Sequence, residues 1–151
     1  MSIWVRLLRD GKTLMVRYGA RTPPRILVAE DNFLMAEVIC DFVRSCGLEP
    51  VGPAGTVEAG LLLAQDETID AAVLDINLHG RMCFPICSAL AERHIPFVFL
   101  SGYASLPMVP HEFRATRHVE KPFVPDELEA VLVNLVSGRA NGHNQRRQAA
   151  L

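Results

Sequence analysis

The sequence predicts an α/β protein built on a doubly wound parallel sheet of five strands. From Arg25 onward, short apolar runs alternate with segments of helical periodicity, so that five β–α units follow one another along the chain. The apolar runs are continuous rather than alternating with polar residues, which is typical of parallel strands covered by helices on both faces. Each of the clearest runs also ends in polar residues, as expected of strands that deliver side chains to a site.

Local signals place the individual elements. Asn32 and Thr56 are N-cap residues, Gly47 ends the first helix, and Pro85 suits the first turn of the third. Two prolines, Pro107 and Pro110, predict that a fourth helix is short or broken. The predicted strands are residues 26–29, 49–52, 71–74, 97–100 and 117–120, and the predicted helices are 32–46, 56–65, 85–93 and a last one from 125.

Two terminal segments flank this domain, which we assign to residues 25–136. Residues 1–22 form an N-terminal extension in which Asp10-Gly11 predicts a β-hairpin turn. Folding there pairs Leu7 with Leu14, Val5 with Val16 and Ile3 with Tyr18. An isolated hairpin is marginal in water, so it would dock on the domain or on a second subunit, and a disordered leader is the alternative. Residues 137–151 are predicted to be a disordered tail.

The charge distribution and the lack of long apolar runs argue against nucleic acid and membranes as partners. Residues 1–25 carry six Lys/Arg and one Asp (net +5), residues 26–136 carry 6 basic and 16 acidic side chains (net −10), and residues 137–151 carry three Arg (net +3). An acidic domain with short basic ends argues against a nucleic-acid surface. No apolar run reaches the ~18 residues of a membrane span, and the N-terminus does not resemble a secretory signal. We therefore expect a cytoplasmic protein that binds neither nucleic acid nor membrane.

Five polar residues stand at the carboxyl ends of predicted strands: Glu30, Asp31, Asp75, Ser101 and Lys121. In doubly wound sheets these ends meet at one edge, where ligands bind. Three converging carboxylates repel one another unless a cation is present, and Mg²⁺ prefers such oxygen ligands. The Asp75 carboxylate could attack phosphorus, with Lys121 supplying a fixed positive charge and Ser101 a hydroxyl donor.

Residues 25–136 resemble the receiver domains of two-component response regulators. The resemblance implies the flavodoxin-like, CheY-like sheet with strand order 2-1-3-4-5 and helices on both faces. Each matching segment is short, but all four occur in order at the right spacing. The segments are Ile26-Leu27-Val28-Ala29-Glu30-Asp31, Val73-Leu74-Asp75-Ile76-Asn77-Leu78, Phe99-Leu100-Ser101-Gly102-Tyr103 and Glu120-Lys121-Pro122-Phe123.

The resemblance also implies a role for each site residue. Asp75 is then the phosphoacceptor, and Ser101 and Lys121 are the switch hydroxyl and the phosphate-binding lysine. Pro122 would follow Lys121 through a cis peptide bond. The Mg²⁺ ligands are Asp31 directly, Glu30 through water, Asp75, and Asn77 through its backbone carbonyl.

Two departures from the common receiver pattern affect the switch. His118 stands three residues before the lysine, where receivers commonly carry an aromatic residue, and Tyr103 follows the hydroxyl residue instead. Residues 75–80, Pro85 and residues 95–103 are similar to the single-domain receivers known for a FAT GUY motif, which are typically partnered with kinases of the HWE or a related class. We interpret His118 as a packed or half-exposed residue, although a histidine there could titrate near neutral pH. Our hypothesis is that Tyr103 senses the phosphoryl group.

The function predicted on these grounds is that of a single-domain response regulator rather than an enzyme. Asp75 would accept a phosphoryl group from a sensor histidine kinase or a phosphotransferase. The domain would then bind a downstream protein or act as a phosphate sink. One alternative is a pseudo-receiver that serves as a dimerisation module, giving a homodimer. Another is a small aspartate-nucleophile phosphatase, which needs a second Asp two residues after the nucleophile, where this chain has Asn77.

A zinc site is a further alternative, formed by Cys83 and Cys87 with His79 or His94. These two cysteines share one predicted helix face, but no CxxC pair supports zinc binding. Buried thiols that pack as small apolar side chains are the preferred interpretation.

Overall fold

The computed structural model describes the backbone of residues 3–9, 12–18 and 22–149, and the side chains of residues 22–102 and 106–139. In chain order the strands are β1 (Ile3–Arg9), β2 (Lys12–Tyr18), β3 (Arg25–Ala29), β4 (Glu49–Ala54), β5 (Ala71–Leu74), β6 (Asn77–Leu78), β7 (Arg81–Met82), β8 (Phe97–Ser101) and β9 (His118–Glu120). The helices are α1 (Phe33–Ser45), α2 (Val57–Asp66), α3 (Phe84–Glu92) and α4 (Pro125–Ala149).

The main sheet has five parallel strands in the order β4-β3-β5-β8-β9. Numbered within the domain, this is the predicted order 2-1-3-4-5, and the prediction of a flavodoxin-like α/β fold is confirmed. The strand order reverses beside β3, because the chain passes outward to β4 first and then crosses back to β5. The carboxyl ends of β3 and β5 therefore flank the crevice in which a ligand can bind.

Two apolar layers cover the two faces of the sheet. Successive strand residues point to opposite faces, so Leu27 and Ala29 belong to one layer, and Ile26 and Val28 to the other. Helices α2 and α3 cover the first layer and α1 and α4 the second. The buried helix residues are Val57, Ala64, Ile86 and Leu90 in the first layer and Ile39, Val43, Leu128 and Leu132 in the second. Because helices cover both faces of the sheet, the residues of these strands are apolar on both sides, which gives the continuous apolar runs in the sequence.

Predicted capping residues begin two of the helices. Asn32 Oδ1 accepts a hydrogen bond from Met35 N (2.9 Å) at α1, and Thr56 Oγ1 accepts one from Ala59 N (3.1 Å) at α2. In place of a regular fourth helix, two 3₁₀ segments lie at Tyr103–Met108 and His111–Phe113. The helix is thus broken, as the prolines predict. Within the described part of the chain, no helix is long and apolar enough to cross a membrane.

The N-terminal extension contains the antiparallel pair β1–β2. Its register joins Leu7 to Leu14, Val5 to Val16 and Ile3 to Tyr18, which are the pairs that the sequence predicts. The turn at Asp10-Gly11 lies outside the described residues. Docking of the hairpin on the domain or on a second subunit stays a prediction.

The prediction of a disordered tail at 137–151 is wrong for the backbone through residue 149, because α4 continues to Ala149. Once a helix is nucleated, each further residue adds one hydrogen bond, so propagation past Gly138 needs no strong local signal. Arg139 adds a tertiary contact at this point. Its guanidinium donates to the carbonyl oxygen of Ile69, just before β5, and lies 4.0 Å from Asp70 Oδ1.

Gly52 in β4 is a position where only glycine fits. Its φ is +103°, and a Cβ there would lie 2.8 Å from Ala54 N and 3.0 Å from Val28 O. Both are backbone atoms, and Ala54 and Val28 belong to the paired strands β4 and β3. We expect Gly52→Ala to lower the free energy of unfolding by about 2–3 kcal/mol, measured by urea denaturation.

Gly138→Ala is the control for this substitution. A Cβ at exposed Gly138 in α4 meets nothing within 4 Å. It should leave the stability unchanged or raise it by up to about 1 kcal/mol. Equal stability of Gly52→Ala and the unchanged protein would contradict the backbone argument.

Candidate functional site

The site lies at the carboxyl edge of the main sheet. Glu30 and Asp31 follow β3, Asp75 follows β5, Ser101 ends β8 and Lys121 follows β9. These strands are parallel, so the five residues that the sequence singles out come to one edge. Backbone hydrogen bonds continue the strand pairing as far as the site. Asp75 N donates to Ala29 O (2.8 Å), and Lys121 N donates to Ser101 O (3.2 Å).

Asp75 is at the centre, with a side chain that is 10% exposed. Its Oδ1 accepts hydrogen bonds from Ser101 Oγ (3.1 Å) and from the backbone N of Asn77 (3.2 Å). Its Oδ2 accepts one from Lys121 Nζ (2.8 Å). A hydroxyl, a backbone N–H and an ammonium group therefore converge on one carboxylate.

Lys121 joins Asp75 to Glu30. Its Nζ lies 2.5 Å from Glu30 Oε2, and the Glu30 side chain is 1% exposed. Burial raises the pKa of Glu30, and the neighbouring Asp75 charge acts in the same direction, although the hydrogen bond from Lys121 opposes them. Burial alone would lower the pKa of Lys121, but the hydrogen bonds to Asp75 and Glu30 outweigh it and raise that pKa. The lysine is thus held in its charged form between the two carboxylates.

Asp31 is the third carboxylate. Its Oδ2 accepts a hydrogen bond from the backbone N of His79 (3.0 Å), and the His79 ring nitrogen Nδ1 lies 3.8 Å away. Burial alone would raise the pKa of Asp31, but this hydrogen bond and the His79 ring outweigh burial and lower that pKa. One oxygen each of Glu30, Asp31 and Asp75 lie within 4.8 Å of one another. These hard oxygen donors fit a divalent cation that prefers oxygen ligands.

A short hairpin beside the site was not predicted. Strands β6 and β7 pair antiparallel around the turn His79-Gly80, in which both residues have positive φ, 52° and 82°. Positive φ at both central residues is the mark of a type I′ turn. Asn77 Oδ1 accepts a hydrogen bond from Gly80 N (2.7 Å), which closes the turn, and the N–H of His79 holds Asp31. The feature of the sequence that could have indicated this turn is the pair His79-Gly80.

His118 is half-buried, as expected from the sequence, and its Nε2 lies 3.1 Å from the carbonyl oxygen of Ser101. The peptide bond between Lys121 and Pro122 is cis, as the resemblance implies. The Tyr103 side chain lies outside the described residues, so its sensing role stays a prediction. The backbone N of Asn77 contacts Asp75, while metal binding by its carbonyl also stays a prediction.

The alternative zinc site does not form among the described residues. Cys83 and Cys87 are fully buried with their Sγ atoms 3.8 Å apart, and the hydrogen bond between them, together with burial, raises the pKa of Cys87. His79 and His94 are exposed. Among the side chains described, the three acidic residues at the sheet edge are the one group that could hold a metal ion.

Comparisons with known proteins agree with this geometry. The sequence profile described as "Response regulator receiver domain" matches residues 26–133. Nodulation protein W of Bradyrhizobium diazoefficiens is 30% identical over 137 residues, which are 87% of this chain and 60% of that protein. The matched segment therefore spans 60% of the length of this curated relative, which is less than two thirds.

Two solved structures are similar over most of the chain. The solution structure of SdrG from Sphingomonas melonis Fr1 has a TM-score of 0.68 at 37% identity, covering 78% of this chain and 99% of that one. The solution structure of the BeF₃-activated conformation of SdrG from Pseudomonas melonis Fr1 has a TM-score of 0.63 at 37% identity, with the same coverage.

Proposed function

Because the chain belongs to the response regulator receiver domain family, we propose that Asp75 accepts a phosphoryl group from a phosphohistidine of a sensor kinase or phosphotransferase. The observation that carries this assignment is the convergence of Ser101 Oγ and Lys121 Nζ on the two oxygens of Asp75, beside two further carboxylates. A phosphoryl group on Asp75 would lie among these donors.

In the transfer, an oxygen of Asp75 forms a bond to phosphorus while the P–N bond of the phosphohistidine breaks. The imidazole nitrogen leaves with the electron pair of that bond, and the ring is then a neutral imidazole because its other nitrogen already carries a proton or takes one from solvent. Lys121 supplies a fixed positive charge for the phosphoryl oxygens, and Ser101 donates a hydrogen bond to one of them. Neither group has to be brought from a distance, since both already contact Asp75.

Glu30, Asp31, Asp75 and the backbone carbonyl of Asn77 are the residues proposed to hold Mg²⁺. When bound, the ion supplies positive charge opposite the oxygens of the incoming group. The chemistry of the donor set supports this choice, because the three carboxylates offer oxygen ligands within 4.8 Å of one another.

The proposed output is a phosphorylation-dependent contact with a downstream protein, or removal of phosphate from the kinase as a sink. The kinase is proposed to be of the HWE or a related class, on the resemblance of residues 75–80 and 95–103 to FAT GUY receivers. Ser101 and Tyr103 are proposed to report the phosphoryl group. Sensing by Tyr103 would be supported if binding of beryllofluoride stopped the motion of the Tyr103 ring, observed by NMR. It would be ruled out if the Tyr103 resonances stayed unchanged.

Acetyl phosphate, a small donor that needs no kinase, tests the acceptor. With Mg²⁺ we expect one phosphoryl group per chain, found by intact mass, and none when EDTA is present from the start of the incubation. Hydroxylamine converts an acyl phosphate to a hydroxamate at its own aspartate, so peptide mass spectrometry should locate the label at Asp75. Labelling at Asp31 or at a histidine would overturn the assignment, and the absence of any label would favour the pseudo-receiver alternative.

A further inference from the structure

The carbonyl oxygen of Ser101 is contacted by two nitrogen atoms, one from His118 in β9 and one from Lys121, which follows β9. Lys121 N lies 3.2 Å from this oxygen and His118 Nε2 lies 3.1 Å from it. A carbonyl oxygen can only accept, so Nε2 carries the hydrogen in this contact. His118 therefore adds a side-chain hydrogen bond to the last backbone bond of the β8–β9 pair.

The same serine is held from its other end by the phosphoacceptor. Its hydroxyl donates to Asp75 Oδ1 at 3.1 Å, and Ser101 is only 2% exposed. Ser101 is also the last residue of β8 and pairs with Glu120 near the end of β9. Strand ends open more easily than strand centres, so a further restraint at this carbonyl limits how far the hydroxyl can turn from Asp75.

We propose that His118 is a positioning residue for phosphoryl transfer, which holds the Ser101 carbonyl so that the Ser101 hydroxyl stays directed at Asp75. The inference rests on the proposed function, because the transfer is the step that it assists. His118 acts through Ser101 and touches no reacting atom.

Two substitutions separate the hydrogen bond from the volume of the ring. His118→Phe keeps a planar ring and has no donor, whereas His118→Gln has no ring and places an amide N–H near the position of Nε2. With acetyl phosphate and Mg²⁺, we expect His118→Phe to take up phosphate about 2- to 10-fold more slowly, the factor that one ordinary hydrogen bond supplies. His118→Gln should be within about 2-fold of the unchanged protein, as should the control His111→Leu, which replaces an exposed histidine away from the strands.

A double-mutant cycle tests whether the effect passes through Ser101. In the Ser101→Ala background, His118→Phe should cause no further slowing, because the hydroxyl that it positions is absent. The inference is overturned if His118→Phe takes up phosphate at the unchanged rate, if His118→Gln is as slow as His118→Phe, or if the slowing persists in the Ser101→Ala background.

An NMR measurement on the unphosphorylated protein does not depend on transfer. The ¹³C shift of the Ser101 carbonyl should move in His118→Phe and stay close to its original value in His118→Gln. If the unchanged protein takes up no phosphate, the proposed function fails, while this shift still decides whether His118 holds Ser101. A Ser101 carbonyl shift that is the same in His118→Phe as in the unchanged protein overturns the inference.

Discussion

Protein carrying Asp75→Asn, incubated with acetyl phosphate and Mg²⁺, is expected to gain no phosphoryl group, whereas the unchanged protein gains one. An amide oxygen is a poor nucleophile and cannot form a stable acyl phosphate. An Asn side chain has nearly the same shape, and its oxygen can still accept the hydrogen bond from Ser101. Its amide NH₂ group cannot accept the hydrogen bond that Lys121 donates to Asp75, but Lys121 keeps Glu30 as a partner. Removing one of two carboxylates beside Lys121 also removes repulsion with Glu30, so the variant should fold normally.

The matched control is Asp66→Asn, which makes the same chemical change at an exposed position at the end of α2. It should be labelled like the unchanged protein. Intact mass measures both variants, and circular dichroism verifies that both are folded. If Asp75→Asn is labelled to the same extent as Asp66→Asn, the acceptor is a different residue.

The position of Asp75 and its neighbours could be predicted, because the carboxyl ends of parallel strands meet at one edge of a doubly wound sheet. Apolar runs such as 26–29 and 71–74 identify buried strands, and the polar residue that follows each run must then lie at the carboxyl edge. Glu30, Asp75 and Lys121 are far apart in sequence, yet parallel pairing alone brings them together. Their contacts of 2.5 and 2.8 Å are the consequence of that pairing.

Contacts that depend on side-chain rotamers or on very short elements could not be predicted. The reach of His118 to the Ser101 carbonyl requires a particular orientation of the ring, and no periodic pattern encodes it. The β6–β7 hairpin has two residues in each strand, which is too short for alternation to be recognised. Its effect on Asp31 is nonetheless direct, because the N–H of His79 occupies one carboxylate oxygen.

The continuation of α4 escaped prediction for a different reason. Its last part is polar and contains Gly138, features that favour a disordered segment when judged locally. The deciding contributions are not local, since helix propagation is cooperative and Arg139 contacts Ile69 and Asp70. Composition describes an isolated segment, whereas this one begins inside a packed helix.

Lys121→Met is expected to slow phosphoryl uptake from acetyl phosphate by about 100-fold or more, the usual effect of removing one preorganised charged or hydrogen-bonding group from a reaction site. Methionine keeps most of the length and volume of the lysine stem and lacks the ammonium group. Glu30 would then be a buried carboxylate without the hydrogen bond and the positive charge that oppose its upward shift, so its pKa should rise further. Asp75 would lose the donor on Oδ2 while keeping Ser101 and Asn77 on Oδ1.

Lys121→Arg is the companion variant, because it retains the positive charge but replaces a compact ammonium with a planar guanidinium. If charge is the main contribution of Lys121, the arginine variant should recover part of the lost rate. If the position of the charge is equally important, the arginine variant should be about as slow as the methionine variant. The reason is that Lys121 Nζ lies 2.5 Å from Glu30 and 2.8 Å from Asp75 at the same time, and a guanidinium has a different shape. Time courses with acetyl phosphate, with thermal melts to verify folding, measure both. A folded Lys121→Met protein that is labelled within about 2-fold of the original rate would mean that the ammonium group does not stabilise the transferring phosphoryl group.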